Sequence, residues 1–272
     1  MLFRSTEDLV LRNKKLGRLE LQAVNQGRDW RVEKLSLSNS DGQLQLDGIW
    51  QSWASKPSIV TNLKLEVSDS GQFLARFGMA DTIKGGSARI EGRLGWAGGP
   101  QVIDYPTLTG NVSLHAEKGQ FLKADPGIAK LLGVLSLQSL ITLDVRDLFR
   151  EGFSYESLNA TAAISKGVLT TSDFNMKGSA AAVSLNGTID LAAETQNLRM
   201  RVVPSVGEGV ATLAGVALAN PLIGIPLSLL QRFLQNPIGQ IFALDYNVTG
   251  SWAEPRVERV RADLRPSDAN PR

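Results

Sequence analysis

A single histidine, His115, stands two residues before Glu117, and it is the only imidazole among 272 residues. Any site that needs two histidines is therefore excluded, HExxH zinc chemistry included. Cysteine is absent, which removes disulfides, thiolate metal ligands and cysteine nucleophiles together. Serine offers no recognisable nucleophile either, because the chain contains neither a G-x-S-x-G elbow nor an S-x-x-K pair. A Walker A loop and a strand-linked G-x-G-x-x-G are also missing, and the glycine pairs Gly85-Gly86 and Gly98-Gly99 read as turns. A glycosidase would need two carboxylates facing across a cleft. Asp144 and Asp147 are close in sequence, as are Glu254 and Glu258, yet alternation puts Asp144 on a solvated strand face and nothing marks either couple as a catalytic pair. The N-x-S/T triplets at Asn111, Asn159, Asn186 and Asn247 are what polar strand faces rich in Asn, Ser and Thr produce by chance. These residues point to no catalysis and to no metal or other cofactor.

Charge does not supply a partner. The 29 basic and 27 acidic residues nearly cancel, and the densest basic group, Arg12, Lys14, Lys15 and Arg18, reads as a solvated surface, so nucleic acid is not an expected ligand.

What the sequence does carry is period two, the spacing at which successive side chains fall on opposite faces of a sheet. In TNLKLEVS, Leu63, Leu65 and Val67 share one face, and Asn62, Lys64 and Glu66 share the other. ARIEGRLGW, LTGNVSLHAE, ITLDVRD, LNATAAIS, AVSLNGTIDL, NLRMRVV and LDYNVTGSW repeat the pattern, giving about 12 or 13 strands of ordinary length. One polar face per strand argues for antiparallel pairing, since parallel sheets bury both faces. Connections such as SNSDGQ, KGG, WAGGP and SKG are short and rich in turn formers, which predicts a meander. Breaks in register at Val32 to Leu35 and at Val257 to Val260 predict bulges. The fold class is thus mainly β, an elongated, twisted antiparallel sheet with a few short amphipathic and apolar helices.

Three helical inserts are expected. SGQFLARFGM, at about 70–79, places Phe73, Leu74 and Phe77 on one side. DPGIAKLLGVLSLQSL, at about 125–137, opens with Asp125 as cap and Pro126 in the first turn. The third insert, at about 208–242, includes a stretch from Gly209 to Gln231 that carries no charge and is long enough for a spanning helix. Pro221 and Pro226 break it, so two short apolar helices are expected instead of a span. Residues 1–264 read as one region and 265–272 as a disordered tail. The first residues lack the uninterrupted apolar segment of a signal peptide. Because LGRLELQA already alternates as a strand, the chain reads as beginning inside a longer fold.

An apolar sheet face can be satisfied by another protein layer or by an apolar ligand. Here the inward positions are mostly Leu, Val, Ile and Ala, and aromatic residues amount to only 6% of the chain. Such a lining suits acyl chains without discriminating among them. At roughly 0.8 kcal/mol per methylene, exposing two chains of about 16 carbons to water costs on the order of 25 kcal/mol. A groove of about 12 strands spaced about 4.8 Å apart would shelter them over roughly 55 to 60 Å.

The block from Phe121 to Leu191, with its PGIAKLLGVLSLQSL and DLFREGFSYESL segments, resembles the C-terminal region of the YhdP-type members of the AsmA-like envelope proteins of Gram-negative bacteria. NLRMRVVP, NPLIGIPLSLLQRFL, YNVTGSWAEPRVERV, LQLDGIW, DSGQFLARFGM and GRLGWAGGP resemble the same family, so the likeness covers nearly the whole chain. It implies a non-enzymatic hydrophobic groove of repeated β units. It further implies a periplasmic, inner-membrane-anchored protein, with the anchor absent from this chain, that moves phospholipid between inner and outer membranes. The expected lipid-groove residues are Leu63, Leu65, Val67, Ile90, Leu94, Val112, Leu114, Leu143, Val145, Val183, Leu185 and Leu198. Ile128, Leu131, Leu132, Leu222, Ile223 and Leu229 are expected either to cap the groove or, for the 208–242 helices, to touch the outer membrane. The alternative is a structural assembly factor that binds outer-membrane polypeptides along exposed sheet edges.

Overall fold

The computed structural model describes residues 2–11, 13–53, 55–122, 152–204 and 243–260. The first strands are β1 (Leu2–Leu11), β2 (Lys14–Gln26), β3 (Asp29–Ser38), β4 (Gly42–Gln51) and β5 (Ser58–Val67). Helix α1 (Ser70–Arg76) leads to β6 (Ile83–Ala97) and β7 (Thr109–Phe121). The remainder comprises β8 (Phe153–Ser165), β9 (Val168–Gly178), β10 (Ala181–Asp190), β11 (Thr195–Pro204), β12 (Leu244–Ser251) and β13 (Pro255–Arg259). The 13 strands among the described residues belong to one sheet whose spatial order is the chain order. Each pairing is antiparallel, so the result is an open, groove-like meander. The predicted strand ITLDVRD and the expected helices at 125–137 and 208–242 lie outside the described residues.

Turn chemistry explains the hairpins. Asn39 Oδ1 accepts from Asp41 N (2.9 Å) and Gly42 N (3.1 Å), folding the backbone between β3 and β4 around its own side chain. Between β8 and β9, Lys166 and Gly167 both have positive φ, at 49° and 78°, as the two central residues of a hairpin turn matched to strand twist require. The register slips between Val32 and Leu35, where three steps on β3 oppose two on β4, which is the expected bulge. No slip occurs at Val257, which pairs regularly with Val248.

The Gly85-Gly86 pair corrects the turn reading. Both residues lie inside β6 with positive φ, at 60° and 80°; a Cβ at Gly86 would meet the Gly119 backbone at 2.9 Å, and one at Gly119 on β7 would collide with the Tyr155 hydroxyl from β8. Left-handed backbone selects glycine at Gly85 and Gly86 without turning the chain, and Gly119 makes room for the Tyr155 ring.

Helix α1 begins at Asp69, whose carboxylate accepts from Gln72 N (3.0 Å) and satisfies a free N–H of the first turn. The Phe73 and Phe77 rings pack in a tilted arrangement, 5.0 Å between centroids and 48° between planes. At the other end Arg76 Nε donates to Asp41 Oδ2 (2.9 Å) and its Nη1 to Lys15 O (3.3 Å), while Lys14 Nζ donates to Phe77 O. The helix is thereby fastened to the start of β2 and to the β3–β4 turn.

Candidate functional site

Antiparallel partners share a face, so the register defines which side chains form one surface. One cross-strand row runs Leu19, Leu37, Leu44, Leu65, Ile90, Leu114 from β2 to β7. Beside it runs Leu21, Leu35, Leu46, Leu63, Gly92, Val112. A third row carries the surface to the far end of the sheet: Val67, Ala88, Ala116, Leu158, Met176, Val183, Val202, Leu244. A single apolar face therefore extends across the meander.

The face is not uniform along its length. In β2 to β6 its leucines and Ile90 are half-buried, and no second layer covers them among the described residues apart from α1 at one end. In β8 to β12 most of the larger side chains on this face are closed, with Val202 at 0% and Leu198 at 2% exposure. The inserted rings also differ. Phe121, Phe153, Tyr155, Phe174 and Tyr246, with Met176 and Met200, fill the closed half. The expectation of a lining mostly of Leu, Val, Ile and Ala describes the middle of the open half, whose strand ends carry Trp30, Trp50 and Trp96.

Of the expected groove residues, Leu63, Leu65, Val67, Ile90, Leu94, Val112 and Leu114 lie together on the apolar face of β5 to β7. Val183, Leu185 and Leu198 lie on the same face in β10 and β11, within the closed half. Leu143, Val145, Ile128, Leu131, Leu132, Leu222, Ile223 and Leu229 lie outside the described residues. Sequence reasoning missed the leucines of β2 to β4. Their alternation was readable, but the bulge at Val32 inverts the parity of β3 and hides which positions continue the face.

The opposite face is polar and laced with cross-strand ion pairs. Lys64 and Arg89 flank Glu66, and Arg89 also meets Glu91, at 2.5 to 3.8 Å. The hydrogen bond and charge of Lys64 hold the Glu66 carboxyl below the usual range, and Glu91 raises the Arg89 guanidinium in the same way. His115 stands on this face between Asn159 Oδ1 (2.5 Å) and Glu117 Oε1 (3.1 Å), and Asn159 first, then Glu117, raise its pKa above the ordinary value. A depression bordered by Arg31, Asp47, Ile49, Val60, Asn62 and Arg93 also opens on this side and not on the apolar one. Among the described residues no group of three or more His, Asp or Glu could hold a metal ion. No helix among them is long and apolar enough to cross a membrane.

An open sheet that is apolar along one face and salt-bridged along the other defines a groove-like β protein. The chain belongs to the YhdP protein family, which matches residues 3–257. It is 25% identical over 259 residues to the intermembrane phospholipid transporter YhdP of Escherichia coli K12, covering 94% of this chain and 20% of that protein. The chain thus spans about a fifth of the length of the curated relative it matches, whose name is that of a transporter and not of an enzyme. No solved structure matches.

Proposed function

We propose that this chain is the C-terminal section of a bridge-like phospholipid carrier of the Gram-negative envelope, that 1–264 form one unit of it, and that it performs no chemistry. Acyl chains lie on the apolar face while headgroups stay wet. The observation that carries this reading is the half-open aliphatic surface of β2 to β7, two rows of leucine-class side chains with no protein layer over them among the described residues. A surface of this kind left to water is rare in proteins that do not use it. Thirteen strands at about 4.8 Å give a path of about 58 Å. The relative's name as an intermembrane phospholipid transporter supports lipid as cargo and the periplasm as location.

The test is photo-crosslinking from a benzophenone side chain at Leu65 or Leu114, with Lys64 and Ser113 as controls on the polar face, in cells carrying radiolabelled phospholipid. Label captured only from the two apolar positions is the expected result. A polypeptide adduct in place of lipid would turn the reading towards an assembly factor for outer-membrane proteins.

A further inference from the structure

The two long edges of the open apolar face differ chemically. Along one edge lies α1, with Phe73 occupying the space that a side chain at Gly42 would enter. Along the other, Trp30 faces Trp50, Trp50 faces Ile59, and Ile59 faces Trp96, a single cross-strand row at the ends of β3 to β6. Trp96 Nε1 donates to Gly99 O at 3.1 Å. Trp50 Nε1 is buried and has no acceptor among the described residues. Beyond the row, the loops on the same edge expose Trp53 (73%), Val102 and Tyr105.

Indole rings collect where hydrocarbon gives way to polar headgroups, because one part of the ring is apolar and the N–H needs an acceptor. The dimensions agree with such a level. From Trp50 to Leu44 the strand covers six residues, about 20 Å at about 3.3 Å each. The acyl chains of one leaflet need about 15 Å, half the thickness of a bilayer core. A tail entering at the tryptophan row would therefore pass the Leu46, Leu63 row, about 13 Å in, and end about 5 Å before the Leu44, Leu65, Ile90 row.

Resting on the lipid-groove reading above, we propose that phospholipids lie across the groove, parallel to the strands, with tails directed at α1 and the glycerol level at the tryptophan row. Trp50 Nε1 is the donor to an ester or phosphate oxygen of the bound phospholipid.

The experiment uses the full chain loaded with one of two diazirine phospholipids, one reactive at the terminal acyl carbon and one beside the glycerol, with adducts mapped by mass spectrometry. The terminal-carbon probe is expected to label 42–46 and 63–67, and the glycerol-level probe 48–53 and 94–99. Equal labelling of both regions by both probes, or the reverse pattern, overturns the orientation while lipid holding stands. No labelling of the folded chain by either probe removes the groove reading itself. Trp50→Phe keeps the ring and deletes the donor, and it should lower phospholipid retention roughly fivefold, as loss of one hydrogen bond does. Trp252→Phe, which removes an equally unpaired indole N–H just after β12 and away from the row, should leave retention unchanged. Unaltered retention in Trp50→Phe overturns the donor role.

Discussion

Leu65 and Leu198 occupy comparable places on the apolar face, in the middle of a strand and between two neighbours, Leu44 and Ile90 for the first and Gly187 and Val248 for the second. Their cover differs: Leu198 is 2% exposed, and Leu65 is half-buried. Truncation to alanine removes the same three carbons at each site, worth about 2.4 kcal/mol at about 0.8 kcal/mol per methylene. At Leu198 the surroundings close on the lost atoms and a cavity remains, so Leu198→Ala should cost about 3–5 kcal/mol. At Leu65 the side chain is already partly wet and no enclosed void forms, so Leu65→Ala should cost about 1–1.5 kcal/mol. Urea unfolding followed by circular dichroism, with native-state amide exchange on β5 and β11 to localise each effect, measures both. Lipid retention should move the other way, falling in Leu65→Ala and holding in Leu198→Ala at temperatures where both remain folded. A Leu65→Ala cost equal to or above that of Leu198→Ala would mean that the β2 to β6 face is as covered as the rest, and the open-groove reasoning would be wrong.

The single histidine gives a clean titration: proton NMR should place the His115 pKa above 6.5, and Asn159→Ala should lower it. Because the folded value is raised, the stabilising effect is complete below the unfolded pKa and fades as pH rises through the folded one, so a small loss of stability is expected on the alkaline side of about 6.5. Gly119→Ala pushes a methyl into the Tyr155 ring and should cost about 1–3 kcal/mol. Adding Tyr155→Ala should recover much of that penalty, visible as coupling in a double-mutant cycle, and strictly additive costs would deny the contact. Arg76→Ala should loosen α1 by about 1 kcal/mol and raise its amide exchange, since the Asp41 ion pair is partly buried. Ser40 and Arg76 hold the Asp41 carboxyl below its usual value, so acid should release α1 only as pH falls through that lowered value.

The β class, the antiparallel meander and the apolar side of each strand were legible because period-two alternation is local and survives in segments such as TNLKLEVS without any tertiary knowledge. The joining of those sides into one surface was only partly legible. A bulge such as that at Val32 to Leu35 shifts parity by one residue, and only pairing with β4 reveals that Trp30 and Leu35 share a face. The division into an open half and a closed half filled by rings was not legible at all. Phe174 and Leu63 both sit at alternating apolar positions, and exposure is set by what lies across the sheet, not by strand pattern. Gly85-Gly86 misled for a similar reason, since the positive φ of both lies inside a strand and the backbone that crowds Gly86 is that of Gly119, on the neighbouring strand about 30 residues away in sequence.

Because every strand pairs only with its predecessor and successor, each hairpin interacts almost wholly with adjacent ones. Excision or duplication of two consecutive strands would return the chain to the same side with the same polarity, leaving both faces continuous. The architecture therefore behaves as a modular ribbon whose span can change in steps of about 10 Å, two inter-strand spacings, without redesign of what remains. Evolution could match such a ribbon to the width of a compartment by counting hairpins.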